Sequence, residues 1–154
     1  MSKDKGSSVI EVLIVITILV VLMTIVLISL SKLNSSQSLD KSASLVVSVL
    51  DQARSLTLSS KNSSQYGVYL NSSSVTLFKG STYNSSDPLN VVTSLDAKVG
   101  IRNISLAGGG SSVVFKRLTG STNQSGTLEL FLKDTSTVFR TINISATGVV
   151  TTTP

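Results

Sequence analysis

The sequence predicts an α+β fold: a long N-terminal α-helix packed on an antiparallel β head of about six to eight strands. Three observations carry this expectation. From Val9 to Leu30, 18 of 22 residues are Val, Ile, Leu or Met. Apolar positions then recur at three- or four-residue spacing as far as Ala53, the period of an amphipathic helix. After Lys61-Asn62-Ser63-Ser64 the apolar period falls to two, that of a half-buried strand.

Composition sets the outer limits. The 154 residues include no Cys and no His, which excludes a Ser-His-Asp triad, a thiol nucleophile, and thiolate or imidazole metal sites. The chain reads as a non-enzyme with no cofactor. Charged residues make up 14%, against about 25% in an average soluble domain. The 30 Ser and 16 Thr must therefore wet much of the surface, as suits a secreted or cell-surface domain. No disulfide framework holds the fold.

The apolar run comes first. As a helix, Val9–Leu30 is about 33 Å long, enough to cross the hydrocarbon core of a bilayer. Its exceptions, Glu11, Thr17, Thr24 and Ser29, form no polar face. It exceeds the ~7–15-residue apolar region of a secretory signal, and only the weak Ser29-Leu30-Ser31 follows as a cleavage candidate. Lys3 and Lys5 precede it, so the positive-inside rule places the chain after about residue 31 outside the cytoplasm. Glu11 is what a plain anchor leaves unexplained. A carboxylate inside an apolar segment costs up to about 3 kcal/mol and by default marks a partner or a function. Two residues from the membrane edge, it can also snorkel to the headgroups.

The string Lys5-Gly6-Ser7-Ser8-Val9-Ile10-Glu11-Val12-Leu13-Ile14-Val15 resembles the prepilin signature of type IV pilins and type II secretion pseudopilins. In that family a short basic leader ends in Gly, the prepilin peptidase cuts after it, and the fifth residue of the mature chain is Glu. The resemblance implies a cut between Gly6 and Ser7, N-methylation of the new terminus at Ser7, and an assembly role for Glu11. Two departures stand out: Ser7 occupies a position that is commonly Phe, and Ile28 stands where many major pilins carry a helix-kinking Pro. The second implies a straighter helix and a minor subunit. In a fibre, Glu11 would neutralise the Ser7 ammonium of a neighbouring subunit, pairing charges otherwise buried alone in an apolar bundle.

The expected organisation is a leader over 1–6, a transmembrane and assembly helix over 7–30, its amphipathic continuation over 31–60, and a β-rich head over 61–154. In the continuation, Leu39, Ala43, Val46, Leu50 and Ala53 form the apolar face, with Asp40, Lys41, Asp51, Gln52 and Arg54 between them. Asn34-Ser35-Ser36-Gln37-Ser38 is its weakest stretch, a candidate kink or Ser-rich linker.

In the head, Thr127–Lys133 alternates most clearly, with Leu128, Leu130 and Leu132 on one face. Tyr66–Leu70, Val75–Lys79, Val99–Leu106, Ser112–Leu118 and Val138–Ile144 also read as strands, separated by Gly, Asn, Ser and Pro turn signals. This element order resembles the H-type minor pseudopilins (GspH/FimT-like), whose two small sheets pack on the helix. Weaker matches are Leu50-Asp51-Gln52-Ala53-Arg54-Ser55, the Tyr-Gly-Val-Tyr-Leu strand, and Arg140-Thr141-Ile142-Asn143-Ile144 with Thr147-Gly148-Val149-Val150.

Other constellations read as structural. Gly108-Gly109-Gly110 lacks a following Gly-Lys-Ser/Thr and is expected to form a hairpin loop. Asp87, Asp96 and Asp134 lack calcium-loop spacing, and no metal is expected. Asn-x-Ser/Thr triplets occur at Asn34, Asn62, Asn71, Asn84, Asn103, Asn123 and Asn143. In a chain so rich in Ser and Thr, loop polarity is the reading preferred for them. Arg102, Lys116, Arg117 and Arg140 are candidates for nucleic-acid contact. DNA ranks below the other partners because basic residues are few and strand-borne Lys and Arg commonly protect edges.

The sequence thus reads as a minor pilin or pseudopilin of a type IV pilus or type II secretion-like fibre. Its expected partners are prepilin peptidase, other pilin subunits, an inner-membrane assembly platform, and membrane lipid before assembly. The alternatives are a monomeric, membrane-tethered β domain that binds an extracellular ligand, or a DNA-uptake minor pilin.

Overall fold

The computed structural model describes residues 9–59 and 63–153, with the backbone alone for 26–33. Helix α1 spans Val9–Leu58. Eight strands follow: β1 Tyr66–Leu70, β2 Ser74–Lys79, β3 Val91–Ser94, β4 Val99–Leu106, β5 Ser112–Val114, β6 Gly126–Leu132, β7 Phe139–Ile144 and β8 Val150–Thr153. The chain divides into two compact units, Met1–Ser36 and Gln37–Pro154.

In the first unit, every large apolar side chain described from Val9 to Ile25 is exposed, from 49% to 83%. The two threonines of this stretch do not present their hydroxyls. Thr17 Oγ1 donates to the Leu13 carbonyl and Thr24 Oγ1 to that of Val20, each at 2.8 Å, the back-bonding that satisfies a hydroxyl within a helix. Among the described residues, no helix is long and apolar enough to cross a membrane. The stretch with described side chains, seventeen residues, falls short of the ~20 such a span takes. In the sequence the apolar run continues to Leu30.

The second unit is an α+β head whose antiparallel strands form two four-stranded sheets. Sheet 1 has the order β3-β2-β1-β5 and sheet 2 the order β4-β6-β7-β8. The helical face foreseen from spacing is the one that packs: Leu39, Ala43, Val46, Leu50 and Ala53 are buried, together with Ser42, Val49 and Thr57. They join one core with Val68, Leu70 and Val75 of sheet 1 and Leu128, Leu130 and Ile142 of sheet 2. Asn34–Ser38 is helical.

Three side chains pin the helix to the head. Buried Thr57 donates Oγ1 to the Ala53 carbonyl at 2.8 Å and accepts the Tyr66 N–H at 3.0 Å, holding the first residue of β1. Arg54 donates Nε to the Gly120 carbonyl at 3.2 Å and Nη2 to that of Thr147 at 3.4 Å. Asp40 pairs with Arg140 Nε of β7 at 2.9 Å. Gly148, at φ +80°, is required where these loops meet, because a Cβ there would overlap the Gly120 carbonyl.

Three differences from the sequence reading have physical causes. Strands β3 and β8 were not foreseen: both are four-residue edge strands, and Val91 and Val92 are both exposed, so no alternation marks them. The strand expected over Ser112–Leu118 ends at Val114; Phe115 makes an isolated bridge to Thr122, and Leu118 is left-handed at φ +70°. Gly108-Gly109-Gly110 is not a hairpin loop, because β4 and β5 lie in different sheets. All three glycines have positive φ, at +83°, +75° and +80°, a run of left-handed residues that side chains resist and that carries the chain from one sheet to the other.

Candidate assembly site and head surface

Glu11 lies on α1 and is exposed. It has no hydrogen-bond or ion-pair partner among the described residues. With both threonines back-bonded, it is the one group in Val9–Ile25 that offers a charge to a neighbour. Gly6 and Ser7, the processing positions expected from the sequence, lie outside the described residues.

The four basic candidates do not come together. Arg102 stands opposite Glu129 on β6, and Arg140 opposite Leu130. Adjacent strand residues point to opposite faces, so the two arginines lie on opposite faces of sheet 2. Both are paired: Arg102 Nε donates to Glu129 Oε2 at 3.0 Å and Arg140 to Asp40. Lys116 and Arg117 follow β5 in the other sheet and are exposed.

Around Arg102 the outer face of sheet 2 carries a cluster that sequence reasoning missed. The guanidinium lies 4.7 Å from the Phe131 ring centroid and 5.7 Å from that of Phe139, within cation–π reach. Gly100 makes room, since a Cβ there would press on the Phe131 ring at 2.9 Å. Asn103, at φ +50° in a β-bulge between Arg102 and Ser105, donates Nδ2 to the same Glu129 oxygen at 2.8 Å. Cross-strand pairing of Arg102 with Glu129 was the signal, and it needs the register. The outer face of sheet 1 has its own small aromatic stack. Tyr83 lies parallel to Tyr69 at 4.1 Å and meets Phe78 edge-on at 5.5 Å, with the Phe78 ring lying on Gly67.

Asp96 closes the turn into β4. Its carboxyl sits below the usual carboxylate range chiefly because it accepts the Lys98 N–H, aided by the Ser38 hydroxyl and the charges of Lys98 and Lys41, and opposed by desolvation. Among the described residues no three carboxylates converge on a metal-sized site.

Comparison with known proteins places this architecture. Residues 1–27 match the prokaryotic N-terminal methylation motif. The fold is similar to that of the type IV minor pilin FimU of Pseudomonas aeruginosa in two crystal forms. One gives a TM-score of 0.58 over 75% of this chain and 93% of that one, the other 0.61 over 77% and 90%, both at 14% identity. Among curated proteins no sequence matches. A two-sheet head packed on the later turns of a long N-terminal helix is the fold shared with that minor pilin. The chain thus carries the methylation motif over residues 1–27 and has a pilin-like fold.

Proposed function

We propose that this chain is a minor-pilin-type structural subunit of a type IV pilus or related secretion fibre, and a substrate of an enzyme rather than an enzyme. Prepilin peptidase cuts the precursor between Gly6 and Ser7, and Ser7 becomes the N-methylated terminus. Residues 7–30 hold the mature chain in the cytoplasmic membrane with the head outside. An inner-membrane assembly platform then draws it out and packs it among other pilin subunits. The apolar surface that faced lipid comes to face protein, and Glu11 offsets the ammonium of a neighbour's Ser7.

The observation that carries this reading is the pattern of Val9–Ile25: apolar side chains exposed all round, hydroxyls turned back onto the helix, and one unpartnered carboxylate. A helix that is apolar all round needs a lipid or protein surround. A simple tether has no need of a charge at this place. DNA stays the lesser reading, since the four basic candidates do not come together and two of them already hold acidic partners.

Intact mass of the full chain, co-expressed with and without a prepilin peptidase, tests the reading. Loss of residues 1–6 that requires both the peptidase and Gly6, with Gly6→Leu as control, supports it. An uncut chain beside a peptidase active on another substrate leaves the tethered-domain alternative.

A further inference from the structure

Asparagine occurs in this chain almost always in one context. Of eight asparagines, seven begin an Asn-x-Ser/Thr triplet. The Ser and Thr content would place a hydroxyl residue two positions on for roughly one asparagine in three, so composition leaves most of the seven unexplained. The structure separates the two kinds. The six triplet asparagines among the described residues are all exposed. Asn90, the asparagine outside a triplet, is half-buried, with its Oδ1 enclosed and unpartnered.

One triplet is set apart by a bond from its own +2 residue. Asn123 is exposed, and its side chain makes no hydrogen bond among the described residues. Asn34 is helical, and Asn143 lies within β7, paired with Thr127 and Thr151 on either side. Asn103 has committed its Nδ2 to Glu129, and the Oδ1 of Asn71 is taken by the next N–H, that of Ser72, at 2.7 Å. At Asn84 the donor is instead the +2 residue: the Ser86 N–H reaches Oδ1 at 3.1 Å. This Asx turn brings together the two residues whose spacing defines an acceptor triplet. The Asn84 carbonyl accepts the Asp87 N–H at 3.2 Å and Asn90 Nδ2 at 2.7 Å. The loop is thus held through its oxygens, and Asn84 Nδ2 has no partner among the described residues.

We propose that Asn84 is an acceptor for an N-linked saccharide, donated from a polyprenyl-pyrophosphate carrier by an oligosaccharyltransferase. Nδ2 bonds to the anomeric carbon, and the bond from that carbon to the pyrophosphate oxygen breaks. The lipid pyrophosphate leaves with the electron pair, and one Nδ2 proton passes to a base of the transferase. No redox change occurs. The inference rests on the proposed placement of the head outside the cytoplasm.

The test is the intact mass and peptide map of the full chain purified from its native host. A saccharide mass on the peptide holding Asn84, absent in Asn84→Gln and in Ser86→Ala and kept in Ser86→Thr, is the expected result. A wild-type chain with the mass of its polypeptide alone overturns the proposal, as does a saccharide that Asn84→Gln leaves in full. The same spectrum shows whether residues 1–6 are gone, so a failure of leader processing is told apart from a missing saccharide.

Discussion

Helix α1 is one element of secondary structure used in two ways. From Val9 to Ile25 every described large apolar side chain is at least 49% exposed, whereas from Leu39 to Ala53 the apolar residues of one face are buried at 7% or less. The backbone is the same and the surround differs. Around the later turns the chain supplies its own two sheets; around the earlier ones something outside the chain must do so. The stretch that completes its own core carries the stability of the head; the other is the stretch to which the proposed function gives assembly.

The largest expected effect breaks the first half of that comparison. On the proposed assembly, Glu11→Ala leaves a neighbour's ammonium buried and unpaired, a loss on the order of 3–5 kcal/mol for such a pair. Fibre incorporation should fall about a hundredfold or more while the protein still fractionates with membrane. Immunoblots of sheared fibres and of membranes read both, and wild-type incorporation would remove Glu11 from the interface.

The second half breaks at Leu50, which is fully buried. Leu50→Ala should cost the head roughly 2–5 kcal/mol, seen as a lower denaturation midpoint. Leu19→Ala, at a side chain 57% exposed, should leave that midpoint unchanged. Equal effects from the two would erase the distinction drawn between the halves of α1.

A smaller effect sharpens how the later turns hold the sheet. Thr57→Val keeps the shape and deprives the buried Tyr66 N–H of its acceptor, at about 1–3 kcal/mol. Hydrogen exchange at Tyr66 should rise more than exchange in β6. Protection of Tyr66 equal to wild type would show that the Thr57 bond does not set the start of β1.

The smallest effect is acid sensitivity at Asp96. Its folded-state pKa is lowered, so its contribution is present above the unfolded value of about 3.9 and is lost as pH falls through the folded one. Asp96→Asn should therefore lower the denaturation midpoint slightly at about pH 5 and leave it unchanged once wild-type Asp96 is protonated. A difference that persists in strong acid would assign the effect to packing instead.

Much of the fold was legible because periodicity is local. The apolar face of α1 and the alternation of Leu128, Leu130 and Leu132 both follow from spacing, and both are buried as spacing requires. Strands β3 and β8 were not legible, since an edge strand of four residues has no face that must be apolar along its length. Lys116 and Arg117 stood out as adjacent cations, but nothing local shows that Arg102 and Arg140 face opposite ways and are already paired.

What the sequence determined by itself is a long helix ahead of an all-β head, the buried stripe of α1, the all-round apolar stretch with Glu11 in it, and the resemblance at the N-terminus. These depend on residues within a few positions of one another. Only the tertiary structure decided the split into two sheets, the Gly108-Gly109-Gly110 crossover between them, and the Arg102–Glu129 cluster. Each depends on which strands pair and in what register, a relation between residues far apart in the chain, as Arg102 and Glu129 are at 27 positions.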